Sequence, residues 1–71
     1  MSFRRIEYFL SVAKHLNFTK AARECYVAQA AISQQIKQFE EELGFKLFNR
    51  GGTSVSLTQA GAYFAKQCQA V

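Results

Sequence analysis

Ser33, Gln34 and Lys37 place a hydroxyl, an amide and an ammonium group at helical spacing, with Ala30 beside them and Gln29 at the flank. Across the same segment lie Ile32, Ile36, Phe39 and Leu43. At about 100° per residue these four form one narrow apolar stripe, so the polar group faces the other way. Its chemistry is that of hydrogen-bonded recognition. Glutamine can pair bidentately with the major-groove edge of adenine, and a serine hydroxyl bonds base edges or phosphate. An alanine methyl can rest on a thymine methyl. Any solvated helix carries such residues, so the face alone decides nothing. Charge narrows the choice. Gln29 to Lys37 contains no acid, whereas Glu40, Glu41 and Glu42 crowd the far end. Those glutamates would repel phosphate and oppose the negative end of the helix dipole. The N-terminal half, with its exposed amides, is the half able to approach a polyanion.

Two further groups could clamp such a partner from the flanks. Thr19 and Lys20 stand at the start of a short helical segment, whose amides could meet a phosphate. Arg50, Gly51, Gly52 and Thr53 make a basic, turn-forming tip suited to a backbone or minor-groove contact.

The elements that must position these groups are legible from periodicity and punctuation. Ile6, Phe9, Leu10 and Ala13 predict one apolar face of a helix over 3–16, with Ser2 as N-cap and Asn17 as a left-handed stop. Thr19 can cap a second helix running to about Tyr26, whose small face (Ala21, Ala22, Cys25) suits a close helix pair. After a brief turn near Val27 comes the long periodic helix, stopped by Gly44. Phe45, Leu47 and Phe48 then cluster, residues 50–54 are turn-like, and Val55-Ser56-Leu57 alternates as a half-buried strand does. Thr58 caps a last helix, in which Phe64, Cys68 and Val71 share a face. That helix carries no stop signal, so the natural protein is expected to continue. The expected fold class is mainly α: a winged helix-turn-helix with a three-helix core, a small two-stranded wing and a C-terminal linker helix. Residues 1–58 would form the domain, with the helix-turn-helix at about 18–37 and the wing at about 47–57. Residues 59–71 would begin the linker or dimerisation helix.

Composition agrees with one small basic domain. The 71 residues are 49% apolar, enough for one core, and nine Lys and Arg against five acids leave a net charge of +4. All five acids are glutamates, so no Ser-His-Asp triad can form, and the single histidine, His15, suits a helix C-terminus. An enzyme is therefore not expected. Cys25 and Cys68 fit no metal-ligand spacing and read as buried, reduced thiols; no metal or cofactor is expected. No long apolar run could span a membrane, and a cytoplasmic location follows as an expectation. A protein-interaction module is the rival reading, since winged helices also bind proteins and the last helix offers Phe64, Cys68 and Val71 to some surface.

At these residues the chain resembles the LysR-type transcriptional regulators. The resemblance runs through Asn17-Phe18-Thr19-Lys20-Ala21-Ala22, Gln29-Ala30-Ala31-Ile32-Ser33-Gln34-Gln35-Ile36, Phe39-Glu40-Glu41-Glu42-Leu43-Gly44, Leu47-Phe48-Asn49-Arg50 and Val55-Ser56-Leu57-Thr58-Gln59-Ala60-Gly61. It covers essentially the whole chain in register. It implies the N-terminal domain of a longer bacterial regulator that binds double-stranded DNA in a sequence-specific way. It also implies a homodimer through the linker helix, a tetramer at full length, and an effector-binding domain, absent here, that senses a small molecule. Groups matching Gln29, Ser33 and Gln34 would approach DNA, with Arg50 at the wing. Two departures stand out: Ala28 where the family usually has Ser, and Ala30 where it has Pro. Neither anchors the helix start as the family's residues would.

Overall fold

The computed structural model describes residues 3–69, so the expected roles of Ser2 and Val71 lie outside the described residues. Helices α1 (Phe3–His15), α2 (Phe18–Glu24) and α3 (Gln29–Leu43) precede strands β1 (Phe48–Asn49) and β2 (Ser56–Leu57), and helix α4 (Gln59–Gln69) closes the order. The strands pair antiparallel, Phe48 opposite Leu57 and Asn49 opposite Ser56.

The helix ends correct two expectations. Leu16, not Asn17, takes the left-handed conformation after α1, with φ +50°. Asn17 is extended, and its side chain accepts the Lys20 N–H at 2.9 Å, capping α2. Thr19 is thus inside the helix and does not cap it. The asparagine side chain stands three residues before the orphan amide, the spacing that a capping acceptor needs. α2 also ends earlier than expected, at Glu24. Tyr26 turns left-handed (φ +59°), and the Tyr26 and Val27 N–H groups return to the carbonyls of Arg23 and Ala22. That is a Schellman closure, made by a tyrosine where glycine is usual. Gly44 and Thr58 behave as expected. Gly44 closes α3 at φ +84°, and the Thr58 hydroxyl accepts the Gly61 N–H at 2.9 Å.

The core is an aromatic cluster centred on Phe9. Its ring meets those of Phe39, Phe48 and Phe64 at centroid distances of 6.5, 5.5 and 5.4 Å. Such tilted and edge-on pairs suit the ring quadrupole and add to burial. Ile32, Ile36 and Phe39 of the predicted α3 stripe are fully buried, and Leu43 packs at its edge. In α1 the buried side is rotated from the expected one. Tyr8, Phe9, Ser11 and Val12 are buried, whereas Ile6, Leu10 and Ala13 are half-buried. α1 has apolar residues around much of its circumference, so periodicity could not say which side the other helices would cover.

Ser11 is tolerated inside because it is satisfied. Its hydroxyl donates to Glu24 Oε1 at 2.6 Å, while Lys14 donates to Oε2 at 2.9 Å. His15 Nε2 lies 3.3 Å from the same carboxylate, at the end of α1 where a structural role was expected. The Ser11 hydrogen bond first, then Lys14, lowers the Glu24 carboxyl from its ordinary 4.5 to about 2. A carboxyl depressed by folding stabilises the fold above its unfolded pKa and loses that contribution as pH falls through the folded one. The thermal midpoint of the parent protein should therefore drop more between pH 4.5 and about 2 than that of Glu24→Gln. Parallel pH curves for the two proteins would refute this.

The wing is locked to α4 by close backbone contact. Thr58 N–H donates to the Leu47 carbonyl at 3.0 Å, and the Thr58 hydroxyl to the Lys46 carbonyl at 2.7 Å. Gly61 then lies so near that a Cβ placed on it would stand 2.1 Å from the Leu47 oxygen. Cys25 and Cys68 are free and half-buried, and burial raises the pKa of Cys68.

Candidate nucleic-acid interface

The first half of α3 is pushed outward by its own stripe. With Ile32 and Ile36 fully inside, Gln29, Ala30, Ala31, Gln34 and Lys37 are exposed and Ser33 is half-buried. Ala28 holds the N-cap position in extended backbone with no side-chain hydrogen bond, as its side chain requires. The N–H groups of Ala31 and Ile32 both reach the Ala28 carbonyl, at 3.0 and 3.2 Å. Restoring a cap with Ala28→Ser should stabilise the domain by about 1 kcal/mol. Amide exchange at residues 29–32 should slow in step; unchanged exchange would show that the start is already held by other means.

Neighbouring elements reach toward this face. On α2, the Thr19 hydroxyl donates to Gln29 Oε1 at 3.1 Å, joining the two helices of the helix-turn-helix. Lys20 is exposed beside it. Arg50 is not where it was expected. It leaves the end of β1 at the root of the wing and lies back on the domain body. Its guanidinium sits 4.5 Å above the Phe18 ring, donates to Ser33 Oγ at 3.4 Å and stands 3.7 Å from Glu40 Oε1. The exposed tip is residues 51–54, including Thr53, with Gly52 at φ +64°. The cation of the wing thus serves the same surface as α3.

Glu40 explains that placement. It is one of the three acids that crowd the far end of the helix, yet it is 4% exposed. Its Oε2 accepts the N–H groups of Leu47 (2.7 Å) and Phe48 (3.2 Å), the entry to the wing. Glu42 pairs instead with Arg5 of α1, and Glu41 is exposed. Two residues were missed at the sequence level. Lys46 and Asn49 join Lys37, Glu40, Phe48 and Arg50 around a shallow groove between α3 and β1. A lysine before a buried leucine in an apparent loop carries no signal of its own.

α4 also departs from expectation. Phe64 turns inward, its ring 5.4 Å from Phe9 and 5.6 Å from Phe39. The Phe64 ring expected on the outward face is therefore engaged within the chain. Gly61 and Ala65 are buried, Phe64 is half-buried beside them, and Tyr63 is the large exposed side chain, 68% accessible. The glycine–alanine spacing marks the side pressed on the core, a cue outweighed at the sequence level by the aromatic ring.

Residues 3–62 match the family model described as bacterial regulatory helix-turn-helix protein, lysR family. The chain belongs to the LysR family. The HTH-type transcriptional regulator AlsR of Bacillus subtilis (strain 168) is 46% identical over 69 residues, 97% of this chain and 23% of that relative. The BenM_DBD/catB site 1 DNA complex superposes with a TM-score of 0.93 at 38% identity, covering 99% of this chain and 78% of that one. DarR of Vibrio fischeri, solved in complex with DNA, gives 0.91 at 31% identity, covering 99% and 24%. The chain spans about a fifth to a quarter of the length of several curated relatives that it matches. The winged helix-turn-helix architecture expected for a LysR-type DNA-binding domain is thus present, with four helices and a two-stranded wing among the described residues. Among the described residues no helix is long and apolar enough to cross a membrane.

Proposed function

We propose that this LysR-family domain binds double-stranded DNA, with α3 in the major groove and the wing tip on the adjoining backbone or minor groove. The observation that carries the reading is the acid-free, exposed first half of α3, flanked by Lys20, Lys37, Lys46 and Arg50, with Glu40 withdrawn into the interior. Gln29, Ala30, Ser33 and Gln34 are the base-edge candidates. Lys20, Lys37, Arg50 and Thr53 are the backbone candidates, while the Thr19 hydroxyl is turned to Gln29. LysR-family relatives solved in complex with DNA support the DNA-binding reading.

The wider protein is read from the family. A homodimer through α4, a tetramer at full length and a small-molecule effector domain beyond this chain fit a LysR regulator, and a role on chromosomal DNA places it in the bacterial cytoplasm. Pairing through α4 would use the exposed side that holds Tyr63, since Phe64 is engaged within the chain.

A salt titration of duplex binding tests the proposal. Affinity should fall log-linearly with salt, by about 0.9 in slope for each phosphate neutralised. Lys37→Ala should lower the slope by about that amount. Arg50→Ala should lower it less, because Glu40 already offsets part of its charge. Binding indifferent to salt would favour the protein-interaction reading instead.

A further inference from the structure

Thr19 was read as a phosphate-facing residue at the start of α2, yet its hydroxyl points to a side chain. It donates to Gln29 Oε1 at 3.1 Å, across the turn between the two helices of the motif. Both residues are exposed, so neither is held by burial. Gln29 opens α3 directly after Ala28, which gives that helix start no side-chain cap. A glutamine has three rotatable side-chain bonds and much rotamer freedom to lose on binding. Its amide also has two unlike ends, an acceptor and a donor, and which base edge it fits depends on how they are turned. A single hydrogen bond to the carbonyl oxygen fixes both the rotamer and the direction of the N–H₂ group.

We infer that Thr19 is a positioning residue for base readout: it holds the Gln29 amide in one orientation and so sets how sharply the domain discriminates at the base pair that Gln29 meets. The inference rests on the DNA-binding reading above and deepens it. Gln34 supplies the internal comparison, being exposed on the same face with no such brace among the described residues. A phosphate-contacting threonine would behave differently. Its loss would weaken every duplex alike and leave the sequence preference unchanged.

The test is selection of bound sequences from a pool of random duplexes, using the full chain and its variants. Gln29→Ala identifies the position at which Gln29 acts, as the one whose preference flattens; Gln34→Ala does the same for Gln34. Thr19→Val, nearly isosteric and exposed, should reduce discrimination at the Gln29 position about fivefold to tenfold. It should leave the Gln34 position, the salt slope and the thermal midpoint unchanged. Thr19→Ser, which keeps the hydroxyl, should restore the parent preference. Thr19→Val that weakens all sequences uniformly, or that keeps the parent preference at the Gln29 position, overturns the inference while leaving DNA binding intact. Enrichment of no sequence by the parent chain, with salt-indifferent binding, overturns the DNA reading and this inference with it.

Discussion

Gly61→Ala should be among the most damaging single substitutions in this domain, lowering stability by about 3 kcal/mol. The added methyl would lie 2.1 Å from the Leu47 carbonyl oxygen and 2.9 Å from its carbon. Both are backbone atoms, so no rotamer change relieves the overlap. α4 must back away, and with it go the Thr58 hydrogen bonds to Leu47 and Lys46 and the seat of Phe64 against Phe9 and Phe39. A domain of this size has only about 0.05–0.15 kcal/mol of stability per residue, so the loss is a large share of the whole. The melting temperature, followed by circular dichroism, should fall by roughly 12–24 °C. Gly51→Ala is the control: no heavy atom stands within 4 Å of its added carbon, and its effect should stay within about 0.5 kcal/mol. Equal melting temperatures for the two variants would mean that α4 is not seated this closely on the wing.

Glu40→Ala is the second large effect, with an expected loss of about 3–5 kcal/mol. The carboxylate accepts two backbone N–H groups, those of Leu47 and Phe48, in a buried site. Removing it leaves two buried donors without a partner and frees Arg50 from its nearest acid. Glu40→Gln should cost less, about 1–2 kcal/mol, because the amide oxygen can stand where Oε2 accepts both donors, while its N–H₂ group replaces Oε1 beside Arg50. The two variants separate a structural from an electrostatic role. Urea unfolding should rank parent, Gln and Ala in that order. In duplex binding, Glu40→Gln should steepen the salt dependence, since the Arg50 charge is no longer offset. A Gln variant with parental stability and an unchanged slope would show that Glu40 supports neither the wing entry nor Arg50.

Much of the site is legible in the amino-acid sequence. The α3 stripe of Ile32, Ile36 and Phe39 followed from spacing, and it forced Gln29, Gln34 and Lys37 outward whatever the rest of the chain did. Ala28 was expected to leave the helix start without a side-chain cap, and it does. The errors share a form. Asn17 was read as the stop of α1 and Thr19 as the cap of α2, whereas Leu16 and Asn17 hold those places; Asn and Thr are both good caps, and only the backbone path shows which of them precedes the first helical residue. Arg50 was placed at the wing tip because a basic residue beside two glycines suggests a mobile loop; the ring of Phe18 and the carboxylate of Glu40 draw it back instead. Phe64 was turned outward because a helix with a few scattered apolar residues has no unique inner face until its neighbours are known.

The sequence by itself determined what depends on local order. It set the helix spans to within a few residues, the stop at Gly44, the cap at Thr58, the buried stripe of α3 and the acid-free half beside it. These follow from backbone geometry and side-chain period, which act over one or two turns. The tertiary structure alone decided which groups meet across the chain. It bound Thr19 to Gln29, laid Arg50 between Phe18, Ser33 and Glu40, buried Glu40 under the wing and pressed Gly61 against Leu47. No residue type announces its distant partner. The polar half of α3 could be read from the sequence; the contacts that hold it in one arrangement come from elements that touch only once the core around Phe9 has formed.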